Sequence, residues 1–149
     1  MHQLPGGNLS VQPLLDQLQS KRIPTLFVAG TQSNIQALNG CGTGYVITGF
    51  RGIHNDAEPE TQSLFGLFVL DESLQKAVNK FPPLKSPFGS YTAKGSNEIL
   101  IKQRLGGITT DMPLISFNKI GETKTGIIFG EGLWRWRLAD YKQNNSHRR

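Results

Sequence analysis

The chain has 149 residues, of which 37 % are hydrophobic and 18 % charged, and its formal net charge is +5. This length suits one domain with one core, and no apolar run approaches the ~18 residues of a membrane-spanning helix. The basic residues are spread along the chain, and Arg135, Trp136 and Arg137 are their only cluster with an interleaved aromatic residue, which argues against a nucleic-acid binder. A single cysteine, Cys41, excludes an internal disulfide and a cysteine-based zinc site.

The first forty residues predict a helix, a strand and a second helix. Asn8 and Ser10 are cap candidates for the first helix. Its apolar residues recur at helical spacing: Val11, Leu14, Leu15 and Leu18. The apolar run 25–29 predicts a strand of the parallel type, buried on both faces. Thr31 or Ser33 is then expected to cap a short helix.

The middle of the chain predicts less regular structure. Residues 45–50 predict a strand, the polar residues 51–62 predict a loop, and the apolar residues 63–70 predict a further strand. Asp71 is expected to cap the helix that follows. The segment 85–97 has strong turn chemistry and predicts a surface loop.

The last third of the chain predicts a meander and one helix. Residues 98–105 alternate as a strand, and residues 112–117 and 124–129 predict two antiparallel strands joined by a turn. A glycine turn and an amphipathic helix from about Leu133 follow. The whole pattern predicts an α/β domain.

The turn between the last strand and its helix is the best functional candidate, with a possible partner- or ligand-binding set of Glu131, Trp134, Arg135, Trp136 and Arg137. Glu131 follows a strand, where α/β folds present ligand groups, and Trp and Arg dominate interface hot spots. The alternative is that the helix face of Trp134, Leu138 and Tyr141 packs on the sheet. Arg135 is then exposed and Arg137 pairs with a carboxylate.

Other candidate sites are weaker. Cys41 could act as a nucleophile with His54 as its base, but a small, partly buried thiol in a glycine-rich turn is favoured. The glycines of 40–44 could cradle a phosphate, yet no Walker lysine follows them. Four residues alternate along one segment: His54, Asp56, Glu58 and Glu60. Together they could bind a metal ion, but an acidic surface loop is favoured.

Carboxylate catalysis is also disfavoured. Asp71 and Glu72 suit a helix start, and Asp111 lies in a turn before a strand. The residues therefore predict no catalytic residue, no metal and no cofactor.

Two patterns resemble known proteins. The first pattern consists of the segment 112–115 (MPLI), Gly121, a basic residue near Lys124 and the run 130–134 (GEGLW). It resembles the closing hairpin of class I glutamine amidotransferase-like domains, and in particular their non-enzymatic branch. These domains are flavodoxin-like. A wider set resembles an uncharacterised family of large bacterial proteins that carry such a domain and amino-terminal membrane-spanning segments: residues 23–27, Gly30, 32–34, 81–84, 87–89 and 130–138. Its most specific motif is GEGLWRWRL.

The chain departs from active amidotransferases at the residues that matter for catalysis. An active member needs a G-x-C-x-G elbow and a downstream His-x-Glu pair. Here Asn39 and Thr43 replace the elbow glycines around Cys41, and Asn55 and Asp56 follow His54. The resemblance therefore implies a degenerate, non-enzymatic member.

The resemblance extends these expectations. It implies a three-layer flavodoxin-like α/β fold, with a mostly parallel sheet and an antiparallel hairpin near the carboxyl end. Residues 1–149 are expected to form one domain excised from a longer protein. The expected function is non-catalytic interaction or ligand sensing within an envelope-associated bacterial protein, with a protein or other parent domains as partners. The alternatives are a hydrolase or amidotransferase using Cys41 and an anion binder using the basic surface.

Overall fold

The computed structural model describes residues 11–50 and 52–144. The helices are α1 (Gln12–Ser20), α2 (Ile35–Asn39), α3 (Glu72–Val78) and α4 (Leu133–Asn144). The strands are β1 (Thr25–Ala29), β2 (Tyr45–Thr48), β3 (His54–Thr61), β4 (Leu84–Pro87), β5 (Ser90–Ala93), β6 (Asn97–Leu105), β7 (Ile108–Ile120) and β8 (Thr123–Phe129).

The strands of the described residues form a six-stranded sheet in the order β1-β8-β7-β6-β3-β4, and β2 and β5 form a separate antiparallel pair. The α/β class and the closing hairpin β7–β8 are confirmed. The prediction of a mostly parallel sheet is wrong, because β1 and β8 are the parallel pair of the described sheet and its other pairings are antiparallel. The flavodoxin-like arrangement is therefore not confirmed.

Short connections explain this topology. Two residues, Gly106 and Gly107, separate β6 from β7, and two more, Gly121 and Glu122, separate β7 from β8. Parallel neighbours need a crossover of about a dozen residues or more, so links this short allow antiparallel pairing only.

The segment 51–62 was expected to be a loop, but it contains β3. Its acidic residues face basic residues on β6: Glu58 lies opposite Arg104, and Glu60 lies opposite Lys102. The Glu58 carboxylate accepts a hydrogen bond from Arg104 Nε at 2.8 Å. Opposite charges across two strands stabilise their pairing, which explains a strand with so few apolar residues.

The segment 63–70 was expected to be a strand, but it is irregular. Phe65 and Phe68 meet edge to face, with ring centroids 4.7 Å apart, and both contact Phe117 of β7. Leu64 and Val69 are 94 % and 96 % exposed. The aromatic side chains hold the segment on the sheet, so its apolar character reflects packing and not strand pairing.

Smaller corrections concern strands and caps. The expected surface loop 85–97 contains β5 and most of β4. Helix α2 is capped by Asn34, whose side chain accepts from Ala37 N, and not by Thr31 or Ser33. Asp71 caps α3 as expected. The other proposed caps, Asn8 and Ser10, lie outside the described residues.

Apolar residues pack on both faces of the large sheet. Alternate residues of a strand point to opposite faces, and Ile127 and Ile128 of β8 accordingly enter two different clusters. The first cluster joins β1 and β8 to α1, α2 and β2, and the second includes residues of α3, α4 and the segment 63–70. None of the helices in the described ranges is long and apolar enough to cross a membrane.

Candidate functional site

Glu131 lies at the carboxyl end of the parallel pair β1–β8, as the sequence indicated. Its carboxylate accepts hydrogen bonds from Thr31 N at 3.1 Å and Thr31 Oγ1 at 2.9 Å. Its backbone exchanges two hydrogen bonds with Lys85 of β4, at 3.1 and 3.0 Å. Glu131 therefore ties together the segments that follow β1 and β8 and the strand β4.

The charges beside this turn are paired. Lys85 Nζ lies 2.6 Å from Asp56 Oδ1. The Lys85 ammonium lowers the pKa of the Asp56 carboxyl, mainly through this hydrogen bond, and Arg135 adds a smaller effect of the same sign. The start of α4 thus lies next to an ion pair that links β3 and β4.

Leu133 and Trp136 form the inward side of α4. Both pack against the second apolar cluster. Trp136 Nε1 donates a hydrogen bond to Pro82 O at 2.8 Å, and the Trp136 ring lies 5.5 Å from that of Phe81. A buried indole usually finds such an acceptor. Trp136 therefore anchors the helix to the domain. The five expected binding residues accordingly do not all share one side of the turn and helix.

The outward side of α4 is apolar and exposed. Trp134, Leu138 and Tyr141 are 63 %, 49 % and 47 % exposed. The alternative that this face packs on the sheet is therefore wrong. Since Leu133 and Trp136 occupy the inward side, the stripe at i, i+4 and i+7 faces solvent.

Two arginines flank this outward face. The guanidinium carbon of Arg135 lies 5.4 Å from the ring centroid of Trp134, within cation–π range. Arg137 is exposed and forms no ion pair with any described residue, so the expected carboxylate partner is not found. The outward face thus combines a fixed aromatic ring, aliphatic surface and positive charge.

Cys41 has the environment of a structural thiol. It is 4 % exposed in the first apolar cluster, and its Sγ donates to Ala37 O at 3.1 Å. Burial raises the pKa of the thiol. His54 is exposed at the start of β3, and no hydrogen bond joins it to Cys41. A buried thiol with a raised pKa does not have the environment of a reactive, nucleophilic cysteine.

We expect iodoacetamide to alkylate Cys41 about tenfold or more slowly in the folded protein than in urea at pH 8, because buried thiols are inert. Because burial raises the pKa, the folded-state rate should also rise at higher pH than for a peptide of residues 39–43. Cys41 is the only cysteine, so the reaction reports on one site. A fast folded-state reaction with an apparent pKa below the ordinary value of about 8.5 would restore the catalytic alternative.

The glycine-rich loop at 40–44 is filled by side chains of the chain itself. Asn118 Nδ2 donates to Thr43 O at 2.7 Å, and Asn97 Nδ2 donates to Gly44 O at 3.1 Å. These amides bind the backbone carbonyl oxygens at the end of the loop and hold it against β6 and β7. The loop therefore serves as a junction between β6, β7 and the β2–β5 pair.

The acidic residues near His54 are divided among ion pairs. Asp56 pairs with Lys85, and Glu58 pairs with Arg104. Within residues 11–50 and 52–144, no group of three or more His, Cys, Asp or Glu side chains could hold a metal ion.

One feature of the structure had no counterpart in the sequence predictions. A groove of about 670 Å³ lies on the sheet beside the segment 63–70. Its walls come from β1, β6, β7, β8 and that segment. The hydrophobic stretch 63–70 is the one sequence signal for this groove, but its interpretation as a strand did not indicate that it forms a wall.

Comparison of the chain with protein-family models, curated proteins and solved structures yields no match. The resemblance to amidotransferase-like domains therefore stays a prediction that rests on the motifs given above.

Proposed function

We propose that this chain is a non-catalytic binding domain that docks a protein partner on the outward face of α4. The observation that carries the proposal is the exposure of Trp134, Leu138 and Tyr141 on a helix whose other side is already anchored. Trp and Tyr, together with Arg, are the residue types that contribute most to interface energies. The helix is fixed before the partner arrives, so little conformational entropy is lost on binding.

Charge on α4 indicates the chemistry of the partner. The helix carries Arg135, Arg137 and Lys142 against Asp140, and the whole chain has a net charge of +5. Complementary charges steer association and disfavour wrong partners. We therefore assign the partner as an acidic protein surface with an apolar centre.

A membrane surface suits this helix less well than a protein. Interfacial membrane helices separate one apolar face from one charged face. On α4, apolar residues occur on the inward side (Leu133 and Trp136) and on the outward side (Trp134 and Leu138). The outward apolar patch is then narrow and flanked by charge, as interface cores are.

We also propose that the chain is related to the family that its sequence motifs resemble. A degenerate class I glutamine amidotransferase-like domain is supported by the hairpin β7–β8, the helix α4 that follows it and the GEGLWRWRL run. The absence of the G-x-C-x-G elbow supports a non-enzymatic role. Membership of an envelope-associated bacterial parent protein rests on the same resemblance.

A pair of synthetic helical peptides tests the docking proposal. One contains leucine and glutamate, and the other has lysine at each glutamate position. We expect fluorescence anisotropy to show binding of the labelled acidic peptide and about tenfold weaker binding to Trp134→Ser, since truncating an interface tryptophan costs more than ~1 kcal/mol. Leu64→Ser is the matched control, because Leu64 is 94 % exposed and does not belong to α4.

Three results would contradict the proposal, two with the peptides and one with lipid vesicles. One is equal binding of the acidic and basic peptides, which would remove the charge argument. The other is acidic-peptide binding that Trp134→Ser leaves unchanged, which would place the interface elsewhere. A preference for anionic phospholipid vesicles over the acidic peptide would likewise assign α4 to a membrane surface instead of a protein.

A further inference from the structure

The groove beside the segment 63–70 has an apolar floor that the fold leaves uncovered. Leu26 of β1 and Phe117 of β7 both lie opposite Gly126 of β8. A Cβ atom on Gly126 would lie 3.0 Å from Leu26 Cδ1 and from Phe117 Cε1, so these two side chains lean over the glycine. Phe68 contacts Phe117, with ring centroids 6.1 Å apart, and closes one side.

The apolar residues around this floor remain open to solvent. Leu26, Leu67 and Phe68 are 55 %, 59 % and 46 % exposed, and all three line the groove. Its volume of about 670 Å³ lies within the range of about 300–1,000 Å³ that small-molecule sites occupy. The groove can therefore accept the apolar part of a small ligand.

Two lysines stand at one end of the groove. Lys119 of β7 and Lys124 of β8 lie directly opposite each other in the antiparallel ladder and both line the groove. Like charges at such positions destabilise strand pairing. Lys119 Nζ lies 3.7 Å from Glu122 in an exposed pair, whereas Lys124 has no ion-pair partner within the described residues. A bound anion would relieve this repulsion.

One acidic side chain also lines the groove. Glu98 of β6 lies opposite Phe117, one position along the sheet face from the lysine pair. Its carboxylate disfavours negative charge at the β6 side and leaves the β8 side, at Lys124, as the favourable place. The charges therefore fit a ligand with one anionic group and an apolar body.

We infer that this groove binds a small amphipathic carboxylate, with its apolar body on Leu26, Phe117 and Phe68 and its carboxylate between Lys119 and Lys124. The site is separate from α4, and neither binding event requires the other.

Titration of the folded protein with decanoate, kept below its micellar concentration, tests the inference by ¹H–¹⁵N NMR. Shift changes are expected at the groove amides: Leu26, Phe68, Phe117, Lys124 and Gly126. Lys124→Gln should weaken decanoate binding about threefold and Lys119→Gln/Lys124→Gln about tenfold, as exposed charge pairs permit. Glu98→Gln should tighten it about twofold. Decanol binding should not respond to these changes.

Lys80→Gln is the control for net charge, because Lys80 is exposed and does not line the groove. Leu67→Ser should weaken decanoate and decanol alike. Equal affinities for decanoate and decanol, or equal effects of Lys80→Gln and Lys124→Gln, would overturn the inference. Shift changes confined to the outward residues of α4 would also overturn it, and such a result leaves the docking proposal standing.

Discussion

Phe129→Ala is expected to lower the free energy of unfolding by about 3–5 kcal/mol, the usual cost of removing a buried phenylalanine ring. Phe129 is fully buried at the end of β8. Its ring meets Tyr45 of β2 and Tyr91 of β5 edge-on, with centroids 5.4 and 5.0 Å away. The substitution therefore leaves a cavity where the large sheet packs on the β2–β5 pair.

Urea denaturation of the wild type and two variants measures this effect. Phe50→Ala is the matched control, because Phe50 is 69 % exposed and its loss should cost no more than about 0.5 kcal/mol. A cost below about 1.5 kcal/mol for Phe129→Ala would mean that the two sheets do not share a packed core.

Gly44→Ala is expected to be destabilising by about 3 kcal/mol or more. Gly44 has φ +86, a conformation that costs an L-residue roughly 1–2 kcal/mol. In addition, its Cβ would collide with the side-chain amides of Asn118 and Asn97. Displacing Asn118 would break its hydrogen bond to Thr43 O, and a buried group left without a partner costs about 1–3 kcal/mol.

Gly52→Ala separates the two contributions to this loss. Gly52 has φ +82, but a Cβ atom there would meet nothing within 4 Å. It therefore carries the backbone strain without the collision, and its cost should stay near 1–2 kcal/mol. If the two alanine variants unfold at the same urea concentration, the asparagine junction contributes nothing and our description of this loop is wrong.

Local pattern predicted the elements whose burial repeats regularly. The apolar residues before Phe129 belong to a strand buried on both sides, so composition alone identifies it. The run at residues 25–29 is a strand as predicted, but the expectation that both of its faces are buried is wrong, because Leu26 is 55 % exposed. β3 was missed because ion pairs with β6, such as Glu58–Arg104, stabilise it. Those partners lie 46 residues away along the chain, and no local pattern reveals them.

The topology could not be obtained from the same patterns. A strand buried on both faces needs apolar residues on both, so its apolar run reports burial and does not give the direction of its neighbour. The two-residue connections on either side of β7 decide between them here. The family resemblance favoured a parallel sheet and outweighed this local signal, which was already present in Gly106-Gly107 and Gly121-Glu122.

The sequence names the residues of the candidate site but does not give the orientation of their helix. Residues 133–138 contain two apolar stripes, one with Leu133 and Trp136 and one with Trp134 and Leu138. Sequence periodicity cannot rank two such stripes. Two contacts determine which stripe faces inward: the hydrogen bond from Trp136 to Pro82 O and the backbone bridge between Glu131 and Lys85. Both depend on tertiary structure.

Iodide quenching of the two tryptophans tests most directly whether α4 offers an open binding face. In Trp136→Phe the remaining Trp134 is expected to emit at long wavelength and to be quenched strongly, since it is 63 % exposed beside Arg135. In Trp134→Phe the remaining Trp136 should emit at shorter wavelength and resist quenching, because it packs on Phe81 and bonds Pro82 O. The reverse order, or equal quenching of both, would contradict the docking face.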